Sequence, residues 1–196
     1  MKKLKSTLPN MILSLGLITI IAGLSLAWVY EETKAPIARS EQEKQTSAVK
    51  DVLPEFNNDP VADAVTVTLD GKGEYRVFPA TLDGKPAGAA VESRSMDGFS
   101  GEIRVMFGFD AEGKVTGYTV LQHAETPGLG AKMGEWFRNP TGRRSVIGLD
   151  PATANVTVSK DGGDVDGITA ATITSRAFLG SLRDAYKVFQ QYNESK

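Results

Sequence analysis

The stretch from Glu102 to His123, EIRVMFGFDAEGKVTGYTVLQH, decides the reading of the fold. In its first half Ile103, Val105, Phe107 and Phe109 alternate with other residues, which places all four on one face of a strand whose apolar side must be covered. Glu112-Gly113 supplies a turn, and VTGYTVLQH follows as the antiparallel partner. Upstream, Asp-Gly pairs recur at Asp70-Gly71, Asp83-Gly84 and Asp97-Gly98, each between strand-like stretches. Such pairs favour the positive φ of tight hairpins, so a meander is predicted. Downstream the period changes: Phe178, Leu182, Ala185, Phe189 and Tyr192 recur every three or four residues, the mark of an amphipathic helix laid on the sheet. The expected class is α+β, an antiparallel sheet with a C-terminal amphipathic helix over residues 55–196.

Ahead of that domain, residues 11–30 carry no charge, and twenty residues at helical rise match a bilayer core of about 30 Å. The stretch reads as a transmembrane helix in contact with membrane lipid, behind a short cytoplasmic tail, residues 1–10, in which Lys2, Lys3 and Lys5 cluster. A cleaved signal peptide shares the basic start and the small-residue site Ser25-Leu26-Ala27. The apolar run continues through Trp28, Val29 and Tyr30, however, which favours an uncleaved anchor. Residues 31–54 read as a separate juxtamembrane helix with Pro36 in its first turn and Pro54 at its end. Its polar middle reads as a solvated face.

Composition narrows the chemistry. The 196 residues include no cysteine and one histidine, so disulfides, thiolate metal sites and multi-histidine metal centres within the chain are excluded. A formal net charge of −2 argues against a nucleic-acid partner. No acid–base dyad or nucleophilic triad is visible, and no catalytic residue or metal ligand is assigned. Hydroxyls, carboxylates or an organic cofactor must carry any function.

Two motifs remain. DGITAATITS, residues 166–175, crowds hydroxyls at the start of the C-terminal helix, where free N–H groups attract anions. Capping by Thr172, Thr174 or Ser175 is the plain explanation, yet Ala170 and Ala171 leave the Thr172 hydroxyl accessible, and Asp166 and Thr169 add polar groups beyond what a cap requires. HAETPGLG, residues 123–130, ends the partner strand; Thr126-Pro127-Gly128 forces a turn, and Gly128 and Gly130 allow close approach. It serves either as a simple connection or as a ligand wall, with His123 a structural residue at the strand end.

Together, the apolar anchor, the meander with HAETPGLG and the segment VDGITAATITSRAF make the chain resemble the G subunits of Rnf electron-transport complexes. The related C subunits of sodium-translocating NADH:quinone reductases are similar. The resemblance implies FMN carried covalently on the last threonine of an Asp-x-x-Ser/Thr-Gly-Ala-Thr pattern, here Asp166, Thr169, Ala170, Ala171 and Thr172. Ala170 departs from the pattern's glycine. By resemblance Thr172 is the attachment residue and Asp166 and Thr169 serve recognition by a flavin transferase. Thr174 and Ser175 are expected beside the phosphate, and Glu125, Thr126, Gly128 and Leu129 along the flavin. The implied function is an electron-carrying component of an ion-translocating oxidoreductase in the cell inner membrane, with its domain on the outer side and other Rnf subunits as partners. A quinone reductase C subunit, a free-standing anchored flavoprotein reductase and a flavin-free binding module remain as alternatives.

Overall fold

The computed structural model describes residues 7–195, so Lys2, Lys3 and Lys5 of the expected tail lie outside the described residues. The chain divides after Glu43 into two compact units. The first is made by helix α1, Leu8–Val52, as far as Glu43. Its large apolar side chains, among them Leu13, Leu24 and Trp28, are exposed, and it is long and apolar enough to cross a membrane. The hydroxyls of Ser14, Thr19 and Thr33 donate to the carbonyls of Met11, Leu15 and Val29 at 2.8–3.0 Å, which satisfies them without water. Pro36 does not begin a second helix: α1 runs through it, at the loss of one internal hydrogen bond.

The second unit begins at Lys44, earlier than the expected boundary at 55. Its centre is a sheet in the order β1-β2-β3-β4-β5, antiparallel throughout: β1 Val65–Leu69, β2 Gly73–Leu82, β3 Lys85–Gly98, β4 Gly101–Asp110 and β5 Val115–His123. The predicted meander is present. Asp83 and Gly84 form the β2–β3 turn with φ of 51° and 75°, both left-handed as a type I′ hairpin requires. Asp97-Gly98 behaves differently. Here β3 continues to Gly98, which pairs with Gly101, and Phe99-Ser100 forms the turn. A Cβ on Gly98 would lie 2.3 Å from the Gly101 carbonyl oxygen and 2.8 Å from Glu125 Oε1, so this glycine is required by crowding.

One face of the sheet presents Ile103, Val105, Phe107, Phe109 and Tyr118 to helix α2, Met133–Trp136, and helix α3, Thr172–Glu194. Helix α3 buries Phe178, Leu182, Ala185, Phe189 and Tyr192, the side predicted from its period. The Phe178 ring stacks on Phe137 at 4.4 Å and meets Tyr118 edge-on at 4.9 Å. The other face holds Phe78, Ala90 and Met106 against Ala48, Val49 and Val52, the last turns of α1. A Cβ on Gly108 would lie 2.0 Å from the Val52 carbonyl oxygen, which instead accepts a 2.5 Å hydrogen bond from Thr116 Oγ1.

Candidate functional site

The site is built where α3 begins. The residue before the helix, Ala171, offers no capping side chain, and Ala170 ahead of it has φ +61°. The crowded hydroxyls therefore do different work from capping. Ser175 Oγ donates to the Ala171 carbonyl and accepts from the Ile168 N–H, both at 2.9 Å. Thr174 Oγ1 donates to Glu125 Oε2 at 2.6 Å. Both side chains are buried and fully engaged with protein. The Thr172 hydroxyl, half-buried, makes no hydrogen bond among the described residues.

Two cavities share Thr172 as a lining residue. One, of about 320 Å³, is largely apolar and is lined by Phe99, Glu125, Thr126, Leu129, Gly130, Ala171, Thr172, Ile173 and Thr174, with Ala170 at its edge. The other, of about 390 Å³, has a mixed wall, the more polar of the two, and is lined by Trp136, Arg144, Ser159, Lys160, Asp166, Thr169 and Thr172, among others. Thr172 belongs to both.

The apolar cavity depends on the HAETPGLG loop. The Leu129 and Ala131 N–H groups both donate to the Thr126 carbonyl, at 3.2 and 3.3 Å, closing the turn that Pro127 begins. Gly128 has φ +79° with nothing near its missing side chain, so it is required for backbone shape and does not line the cavity. The close approach occurs at Gly130, where a Cβ would lie 2.4 Å from Glu125 Oε2 and 2.6 Å from Thr174 Oγ1. His123 ends β5, and its Nδ1 accepts from the Glu125 N–H at 3.2 Å.

The polar cavity depends on Asp166. Its N–H donates to the Arg143 carbonyl at 2.6 Å, its carbonyl accepts from the Trp136 indole at 2.8 Å, and its Oδ2 accepts from the Arg143 N–H at 3.2 Å. The Ser159 hydroxyl and then that N–H hold the Asp166 carboxyl below the usual carboxylate range, with the Arg143 and Arg144 charges adding to the effect. Arg144 lies over the Trp136 ring, 4.3 Å from its centroid. Arg176 on α3 clamps Asp161 with two hydrogen bonds of 2.7 and 2.8 Å, fixing the Ser159–Asp161 turn that forms the far wall.

Of the residues singled out from sequence, Glu125, Thr126, Leu129, Ala171, Thr172 and Thr174 meet around the apolar cavity, and Asp166, Thr169 and Thr172 around the polar one. Ser175 and Gly128 line neither. Phe99, Ile173, Trp136, Arg144 and Lys160 were not foreseen. Phe99 was the most legible of these, as an aromatic residue beside an Asp-Gly pair, where turn chemistry does not call for one.

The FMN-binding domain family matches residues 98–187, a span that starts at the β3–β4 hairpin tip and takes in both cavities. Across the longer chain, similarity extends to the G subunits of ion-translocating oxidoreductase complexes. That of Cereibacter sphaeroides is 35% identical over 186 residues, covering 92% of this chain and 83% of the relative. That of Escherichia coli is 39% identical over 171 residues, covering 83% and 81%. That of Aliivibrio fischeri is 33% identical over 199 residues, covering 96% and 93%.

The chain belongs to the family of these G subunits. Membership makes it an electron-transport component of an oxidoreductase complex, with a domain of the FMN-binding type. The cavities fit such a group in chemical character. FMN joins a flat, largely apolar ring system to a phosphate through a polar ribityl chain, and the domain offers an apolar slot and a cation-bearing cleft that share Thr172.

Proposed function

We propose that this chain carries FMN as a phosphoester on Thr172 and relays electrons between partner subunits of its complex. The observation that supports the reading is Thr172, whose hydroxyl has no hydrogen-bond partner among the described residues and which lines both the apolar cavity and the more polar one. A hydroxyl spent on capping would have been turned into the helix.

When bound, FMN supplies the redox chemistry. The chain supplies attachment, position and charge. A phosphodiester keeps one negative charge, and the first N–H groups of α3 favour it by about 0.3–1 kcal/mol through the helix dipole. Arg144 and Lys160 face the same cleft and add to the favourable field. Glu125, Thr126 and Leu129 border the space for the ring, and Gly128 shapes their loop. Asp166 and Thr169 stand on the outer approach to Thr172, in reach of a flavin transferase that must recognise the segment. Thr174 and Ser175, engaged with Glu125 and Ala171, keep the first turn of α3 in register and do not touch the phosphate. The apolar part of α1 anchors the chain among lipids of the cell inner membrane, with the domain on its outer side and the other subunits of an Rnf-type complex as neighbours.

The test is co-expression with a flavin transferase, followed by denaturing electrophoresis and in-gel flavin fluorescence. A fluorescent native band that disappears in Thr172→Ala is the expected result. A band that persists in the variant, or no band while a control substrate is labelled, would refute the threonine linkage.

A further inference from the structure

Phe99 occupies the two-residue turn between β3 and β4, a place normally given to glycine, asparagine or aspartate. Its ring is 68% exposed, so it is no part of the domain core. It borders the apolar cavity together with Leu129 and Ile173, which are themselves 41% and 48% exposed. Three large apolar side chains thus stand open around one slot next to Thr172.

The hairpin tip is held in that place by a buried carboxylate. Glu125, 5% exposed, accepts the Ser100 N–H on Oε1 at 3.0 Å and the Thr174 hydroxyl on Oε2 at 2.6 Å. One side chain therefore ties the tip carrying Phe99 to the helix turn carrying Thr172. Gly98 and Gly130 leave the room it occupies. So much fixation serves no purpose for an exposed ring unless something flat is to rest against it.

We propose that Phe99 is the outer wall of the flavin-ring pocket and that Glu125 is the positioning residue that keeps it there. This rests on the reading that FMN is held at Thr172. Leu129 and Ile173 bound the same slot, and the ring lies against the Phe99 phenyl.

The experiment uses the full chain, loaded by co-expression with a flavin transferase, in native form and as Phe99→Ala and Phe99→Trp. Attached flavin is counted in denaturing gels; emission per flavin and its quenching by iodide are then read in folded protein. Because Phe99 is exposed, neither variant disturbs the core. An indole touching the ring quenches it, so Phe99→Trp is expected to lower folded-state emission several-fold at equal flavin content, and Phe99→Ala to raise iodide quenching. Adding Glu125→Ala to Phe99→Trp should recover emission, whereas Glu125→Gln, which keeps an acceptor for the Ser100 N–H, should not. Unchanged emission and unchanged iodide access in both Phe99 variants, with flavin attached, would overturn the proposal and leave Thr172 untouched. If no flavin is attached to the native chain, the threonine linkage fails, and the same three proteins titrated with free FMN decide the matter. Stronger quenching by Phe99→Trp then upholds the wall, and no difference overturns it.

Discussion

Ala170 shows how a single backbone angle can escape a sequence reading. Its φ of +61° lies in the left-handed region, which costs an L-residue with a Cβ about 1–2 kcal/mol relative to the right-handed form. The resemblance pattern has glycine at this position, and from sequence the alanine reads as a harmless small replacement. Ala170→Gly should stabilise the folded domain by about 0.5–1 kcal/mol, the relief of strain exceeding the added chain entropy, as measured by urea unfolding. Thr172 was legible because its neighbours are small and its place at a helix start is fixed by the period that follows. The burial of Thr174 and Ser175 was not, because their partners are set by tertiary contact: Glu125 lies 49 residues from Thr174. Tyr118 carries a pH dependence of its own. Burial, partly opposed by Arg138 over its ring, pushes its phenol from 10.0 up to about 12, and its hydroxyl donates to the Met133 carbonyl at 2.7 Å. A raised folded-state value means that the folded protein holds the proton longer. The stabilisation is therefore complete below about pH 10 and is lost as pH climbs toward 12, to the extent of about 2–3 kcal/mol. Urea titrations at rising pH should show a steeper loss in the native chain than in Tyr118→Phe, which keeps only the part due to groups such as Tyr75 and Tyr186 and is less stable by about 1 kcal/mol at neutral pH for want of the hydrogen bond.

Among the elements, strand β4 and helix α3 were readable because each has one face in a regular period, and β5 because it follows β4 across the Glu112-Gly113 turn. The third hairpin was not. Asp97-Gly98 has turn chemistry, but the glycine is required where the strands close upon Glu125, and the turn passes to Phe99-Ser100. A glycine that answers crowding and a glycine that answers φ look the same in a sequence. The same ambiguity explains the exchange of parts between Gly128, which shapes the loop, and Gly130, which admits the carboxylate. The long connection from β5 to α3 could be placed only through its two motifs, since its order comes from scattered backbone bonds such as Val146 N–H to the Phe137 carbonyl and Val115 N–H to the Leu149 carbonyl, both 2.9 Å.

For the whole molecule, the division into units departs most from the sequence reading. Residues 44–52 read as the end of a juxtamembrane helix outside the domain, yet Ala48, Val49 and Val52 close the second face of the sheet. The available signal was Gly108 and Gly117, glycines inside strand patterns, which mark the close approach of another backbone. Removing this segment forfeits the burial of two valines, at about 1.5–3 kcal/mol each or roughly 3–6 kcal/mol together, and uncovers Phe78 and Met106. Against a typical domain stability of about 5–15 kcal/mol, that is a large fraction. A chain starting at residue 44 should therefore unfold cooperatively in urea at a clearly higher midpoint than one starting at residue 55. The division has an optical consequence too. The two tryptophans fall one to each unit, Trp28 in the apolar helix and Trp136 in the wall of the polar cavity that Thr172 shares. Indole emission overlaps the absorption of oxidised flavin, so excitation of Trp136 would pass by dipole coupling to a flavin on Thr172, and with Trp28 replaced the molecule becomes its own gauge of cofactor loading.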